Sequence, residues 1–140
     1  MTRSEFERFL RDMYAARLAN DAKGCAGFFD AAATLRFAGA ENTGPIAISS
    51  RSLSAIQEHL VELVRVFQWT SFEIVSLIIE GNRAAVHSRV TTTHTPTRQS
   101  LTTEVVDMVT VEGRKVIDFL EFVDTARIAE LATRSPTQGR

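Results

Sequence analysis

Taken at every second position, Leu101, Thr103, Val105, Asp107, Val109 and Val111 set one acid in an otherwise dry row. Alternation puts i, i+2 and i+4 on one face of a strand, so Asp107 points where its neighbours point. A carboxylate there must find partners or keep its proton. Either way it is a candidate acid. Glu121 is the second candidate. If Glu112-Gly113-Arg114 is a three-residue loop, Val111 pairs with Lys115, Asp107 falls opposite Phe119, and Glu121 is its same-face diagonal neighbour. Two carboxylates within reach push their pKa values apart, giving one acid and one base near neutral pH. The bland alternative sets Glu121 on a wetter part of the face, paired with an arginine. Tyr14 is the third candidate, since a phenol beside an apolar stripe buries its ring and still offers its hydroxyl.

Arg89 and His87 enter through the neighbouring strand, and register decides their place. A two-residue Thr97-Arg98 loop sets Asp107 opposite Ser88, while a loop one residue longer sets it opposite Arg89. The row Ala84, Val86, Ser88, Val90 is the more apolar one, which favours Ser88 inward and Arg89 outward; Arg89 is kept as a candidate pocket residue. Phe37 and Trp69, with the same-face residues Val105, Phe119 and Val123, are candidate apolar walls. Core packing is the bland account of Phe37 and Trp69, and the favoured one. Cys25 reads as a small buried hydrophobe. His59 has no metal-type residue four positions on, and no metal site is expected.

These side chains need a frame. Ser4 to Glu7 reads as a capping box, and Phe6, Phe9, Leu10, Met13, Arg17 and Leu18 keep helical spacing behind it, predicting a helix over 4–19. A short second helix over 22–30 comes next, then a strand over 33–38, a loop over 39–45 and a third helix over 52–67. From residue 70 the period changes to two. Strands over 70–80 and 83–95 join at Gly81-Asn82, and two more run from Ser100 to Asp124. Asp124 then caps a short helix. Residues 1–134 are expected to form one domain and 135–140 a frayed tail. Phe72, Ile74 and Ile78 on one side of the third strand, with Val75, Leu77 and Ile79 on the other, ask for two covers. Helices supply one; a homodimer through the outer sheet face is the expected other.

Bulk composition narrows the class. The chain has 140 residues, enough for one sizeable core. With 16 Lys plus Arg against 17 Asp plus Glu, no overall field favours nucleic acid or an anionic membrane. A single cysteine excludes an internal disulfide. The charged N-terminal stretch and the lack of a long apolar run predict a cytoplasmic protein with no membrane span.

The element order, with FFDAAATLRF after the second helix and EGRKVIDFLEFVDTARIAEL at the end, resembles the nuclear transport factor 2-like superfamily, in its SnoaL-like and ketosteroid isomerase-like branch. The resemblance implies an α+β fold, a cone-shaped barrel of a curved, mostly antiparallel sheet. Three N-terminal helices pack on its concave face, and a short helix ends the chain. It also implies a pocket for a small hydrophobic molecule, commonly in a dimer, without a cofactor. Val106-Asp107-Met108-Val109 is similar to the segment that carries a protonated aspartic acid donor in those isomerases, a case of a neutral buried acid already well described. Their helical tyrosine is loosely matched by Tyr14. Their general base is an aspartate on the first strand, and Thr34-Leu35-Arg36-Phe37-Ala38 holds no acid. Epoxide hydrolases of the superfamily place an arginine between two aspartates, which would give an Arg89–Asp107 contact meaning. Two readings therefore stand. One is acid–base catalysis of isomerase, cyclase or hydrolase type on a small carbonyl or polyketide-like compound. The other is a non-catalytic ligand-binding or dimerisation module.

Overall fold

The structure is a computed structural model that describes residues 1–39 and 48–133. In chain order these form α1 (Arg3–Leu18), α2 (Ala22–Ala26), β1 (Phe29–Phe37), β2 (Ser49–Ser50), α3 (Leu53–Val66), β3 (Phe67–Glu80), β4 (Arg83–His94), β5 (Gln99–Glu112), β6 (Lys115–Phe122) and α4 (Thr125–Thr133). Most of the predicted 39–45 loop and the 135–140 tail lie outside the described residues. The strands make one curved sheet in the order β2-β1-β6-β5-β4-β3. All neighbouring pairs are antiparallel except β1 with β6. The sheet does not close. Its edges are β2 and β3, and α3 packs against β1, β2 and β3, so a helix stands where a full barrel would pair its strands. Phe6, Leu10, Met13 and Ile56 from the helices meet Val86, Val109 and Val116 from the sheet in the main core.

Local chemistry sets the boundaries. The capping box of α1 is formed by Thr2 and Glu5, not by Ser4 and Glu7. Thr2 N–H donates to Glu5 Oε2 at 2.8 Å, and Glu5 N–H donates to Thr2 Oγ1 at 3.1 Å. Both tetrads satisfy the spacing; the earlier start leaves Glu7 free to pair with Arg3 and Arg11. Beyond the end of helix α1 and its C-cap Ala19, Asn20 is a non-glycine residue at φ 56°. Its amide is bonded like a strand partner, accepting from Trp69 N–H at 3.0 Å and donating to Trp69 O at 3.3 Å. Asp21 caps α2, which stops at Ala26, short of the expected Asp30, because Phe29 already begins β1.

β3 corrects the expectation of two apolar faces. Its pairing with β4 slips at Trp69/Ser71 and again at Ile74/Ser76. A bulge adds one residue and reverses the face of every residue beyond it. The inward row therefore runs Trp69, Phe72, Ile74, Leu77, Ile79, all packed against the main core, while Val75 and Ile78 are exposed outside.

Two registers place the site. The β4–β5 connection spans Thr95 to Arg98, since His94 pairs with Gln99, and Asp107 therefore faces Val86. This is two positions from the expected Ser88, so the inward face is unchanged. At the β5–β6 turn Glu112 pairs with Lys115 around Gly113 and Arg114, at φ 56° and 62°. The turn is thus two residues long rather than three, and a bulge lies beside it at Thr110/Val111. Each change moves the pairing by one. Together they put Glu121, not Phe119, directly opposite Asp107.

Candidate functional site

Asp107 is fully buried. Tyr14, projecting from α1 onto the sheet, donates its hydroxyl to Asp107 Oδ2 at 2.6 Å. The other oxygen, Oδ1, is buried with no hydrogen-bond partner among the described residues. Two carboxylates cannot hydrogen-bond; with one proton between them they can, and the Asp107 and Glu121 side chains are placed for that bond. Directly opposed residues in antiparallel strands have Cβ atoms only about 5 Å apart.

The surroundings decide which acid holds the proton. Burial, then the charge of Glu121, holds the Asp107 carboxyl well above the usual aspartate range. Burial also raises Glu121, but the bond from Asp107 and the charge of Arg17 pull it back. Asp107 is therefore the protonated member and Glu121 the one that ionises first. Burial and the neighbouring acid likewise push the Tyr14 hydroxyl well above its ordinary value, so it acts as a donor. Tyr14 thus donates to Asp107, and Asp107, when it holds the proton, is placed to donate to Glu121.

A cavity of about 80 Å³ opens beside this group, several times the roughly 10–15 Å³ that one water needs. The expected walls Phe37, Trp69, Val105, Phe119 and Val123 all line it, with Tyr14 and Glu121. Asp107 does not; it lies behind Glu121, which is half-buried. Ser88 points inward and is fully buried, opposite Val105, but it stays outside the cavity wall and its Oγ has no partner. Arg89 is corrected: it lies exposed on the outer face, donating to Glu73 at 3.1 Å. His87 also faces outward, 2.6 Å from Glu104. The Asp107–Arg89 contact therefore does not exist, because Asp107 and Arg89 belong to opposite faces.

Arg17 is the cavity side chain to which the sequence reading gave no role. It is 6% exposed and lines the cavity. It donates to Phe67 O at 2.6 Å and to Asn20 Oδ1 at 3.3 Å, and its guanidinium carbon lies 4.6 Å from the centroid of the Trp69 ring. The signal was present as an arginine within an apolar helical stripe. Trp69, Phe72 and Tyr14 stack nearly parallel behind it. Cys25 also lines the wall, and burial pushes its thiol up to about 11, so it stays neutral. Among the described residues no cluster of three or more His, Cys, Asp and Glu side chains is arranged for a metal, and no helix is long and apolar enough to cross a membrane.

Known proteins share this frame. Residues 10–119 match the family model described as SnoaL-like domain. That span includes Tyr14, Arg17 and Asp107 and stops two residues before Glu121. Among solved structures, a candidate isomerase from Rhodopseudomonas palustris superposes with a TM-score of 0.78 at 17% identity, covering 94% of this chain and 98% of that one. An NTF2-like protein from Burkholderia thailandensis E264 gives 0.74 at 22% identity, covering 91% and 95%. An LEH-like epoxide hydrolase from M. tuberculosis gives 0.71 at 10% identity, covering 93% and 90%. Identities this low speak for the fold. The search of curated proteins returns no match.

Proposed function

The chain belongs to the SnoaL-like domain family of the nuclear transport factor 2-like superfamily, and from that premise we propose that it is an acid–base enzyme acting on a small, mainly apolar carbonyl compound. One observation carries this reading. Glu121 lines an apolar cavity and is backed by Asp107, a buried acid that keeps the shared proton. Glu121 is then the base that touches the ligand. Asp107 positions it, and by donating to it keeps its basicity moderate, as general-base catalysis near neutral pH requires. Tyr14 holds Asp107 in turn. The isomerase named among the structural neighbours supports a proton-transfer chemistry; the epoxide hydrolase there makes water activation by the same carboxylate the competing reaction type.

The test is exchange of α-hydrogens. Wild type and Glu121→Gln are incubated in heavy water with a panel of small cyclic and aryl ketones, and deuterium uptake is followed by NMR. Wild type should exceed the buffer rate, and the variant should lose about 100-fold or more. Equal rates in both would sink the catalytic reading. Tight ketone binding without exchange would favour the non-catalytic pocket.

A second copy is proposed as the partner for the outer sheet face. Register aligns Ile78, Ala85, Met108 and Leu120 in one apolar row across four strands, and Val75, Ile78, Met108 and Phe122 are all exposed. Sedimentation should show a dimer that Ile78→Glu disperses. A monomeric wild type would end this proposal.

A further inference from the structure

We propose that Arg17 is a catalytic residue of this site, donating to the carbonyl oxygen of the substrate and holding the negative charge that forms there when Glu121 removes the neighbouring carbon-bound proton. This rests on the acid–base reading above and narrows its substrate to neutral ketones. The resemblance assigned the oxygen-binding task to Asp107. The geometry gives that group other work: Asp107 does not line the cavity, and the Tyr14 hydroxyl is committed to Asp107 Oδ2. Some other donor must meet a ligand oxygen, and Arg17 is placed to do so.

A guanidinium has five N–H donors. The bonds to Phe67 O and Asn20 Oδ1 leave the others uncommitted. Arg17 remains a cation at neutral pH even though burial lowers it to about 10. Among the described residues it enters no ion pair. Arg17 and Glu121 nevertheless feel each other's charge, and both line the same apolar cavity. A buried cation and a carboxylate that share a cavity without touching leave a place for a group that needs both. A ketone flanked by C–H is such a group. Because the two charges already balance, a neutral ligand suits the site better than an anion.

The step conserves atoms and electrons without a further reactant. Glu121 takes the α-proton; the C–H pair becomes the new C=C bond, and the carbonyl π pair moves onto the oxygen beside Arg17. The carboxylic acid of Glu121, half-buried at the cavity wall, exchanges its proton with solvent and then delivers a proton (a deuteron in heavy water) to the same carbon or to the far end of a conjugated enolate. The product is the starting ketone or its double-bond isomer. A fixed donor aimed at a developing oxyanion in a dry site is worth about 100-fold or more in rate.

The experiment uses cyclohexanone as probe and compares wild type, Arg17→Met and Arg17→Lys by deuterium uptake across pH. Arg17→Met should lose about 100-fold. Its activity should also rise at higher pH than wild type, because Arg17 lowers Glu121. Arg17→Lys should recover about tenfold of the loss and return the midpoint towards wild type, since it keeps the charge but not the planar fork. Should Arg17→Met fail to fold, Arg17→Lys alone must show a loss of about tenfold. Overturning results are Arg17→Met within about threefold of wild type, or a loss with no movement of the pH midpoint, which marks a structural role. If Glu121→Gln loses exchange while Arg17→Met exchanges normally, only this inference falls. A wild type no faster than buffer removes both it and the acid–base reading.

Discussion

The two faces of β4 and β5 use the same residue types to opposite ends. Outside, His87 meets Glu104, Arg89 meets Glu73, and Thr91 and Thr93 bond Thr102 and Ser100 at 2.8 and 2.7 Å. Every one of these groups stands near water, which replaces a lost partner and screens a charge. Inside, Asp107 has no access to water and depends on Tyr14 and Glu121. A surface ion pair is worth about 0–1 kcal/mol, whereas removing one partner of a buried polar pair leaves the other with its full desolvation cost. The contrast shows that depth, rather than residue type, sets what an acid does here.

The largest break in that contrast is Asp107→Ala, which strands the Tyr14 hydroxyl and opens a void. It should cost about 3 kcal/mol, read from denaturant unfolding. Asp107→Asn should cost less than about 1 kcal/mol, because an amide still accepts from Tyr14 and donates to Glu121 as a protonated acid does. Equal losses in the two variants would show that Asp107 is ionised.

Next comes pH. Unfolded, both acids ionise near pH 4; folded, they retain a proton at higher pH. Above about pH 4 the folded state thus binds more protons, so stability falls as pH rises, until the folded Asp107 value is passed. The slope is at most about 1.4 kcal/mol per pH unit for one group. Asp107→Asn removes most of this dependence, so its stability relative to wild type should climb between about pH 5 and pH 8. Parallel curves for the two proteins would contradict the shared proton. Tyr14→Phe should cost about 1–2 kcal/mol, as Asp107 Oδ2 loses its donor. Smallest of all, Arg89→Ala should lie within about 0.5 kcal/mol of wild type and leave ketone exchange unchanged. A large loss there would dissolve the distinction between the faces.

Much of the frame was legible in the sequence because it comes from period. The α1 stripe, the Asp124 cap and the alternation through Asp107 rest on side-chain spacing alone, and α4 is indeed capped by Asp124 Oδ1 on Arg127 N–H. Bulges were not legible. Nothing in Trp69 to Ile79 announces two slips, and without them the strand splits its apolar residues between faces. The candidate site was half visible. Asp107 stood out as an acid in a dry row, but its distance from the cavity depends on how the sheet curves beneath α1. Arg17 was visible in its stripe and unassigned, since its meaning depends on Trp69 and Phe67, about fifty residues away in the chain.

The two offsets between β5 and β6 have a consequence for how this protein can change. Side chains alternate with period two, so a hairpin keeps its faces only modulo two. The short turn at Gly113-Arg114 and the bulge at Thr110/Val111 each shift the pairing by one step, and only their sum preserves parity. Inserting a residue in the turn alone would send Glu121 outward and bring Leu120 or Phe122 into the cavity. Among relatives, turn length and bulge are therefore expected to vary as a pair, like a digit and its checksum.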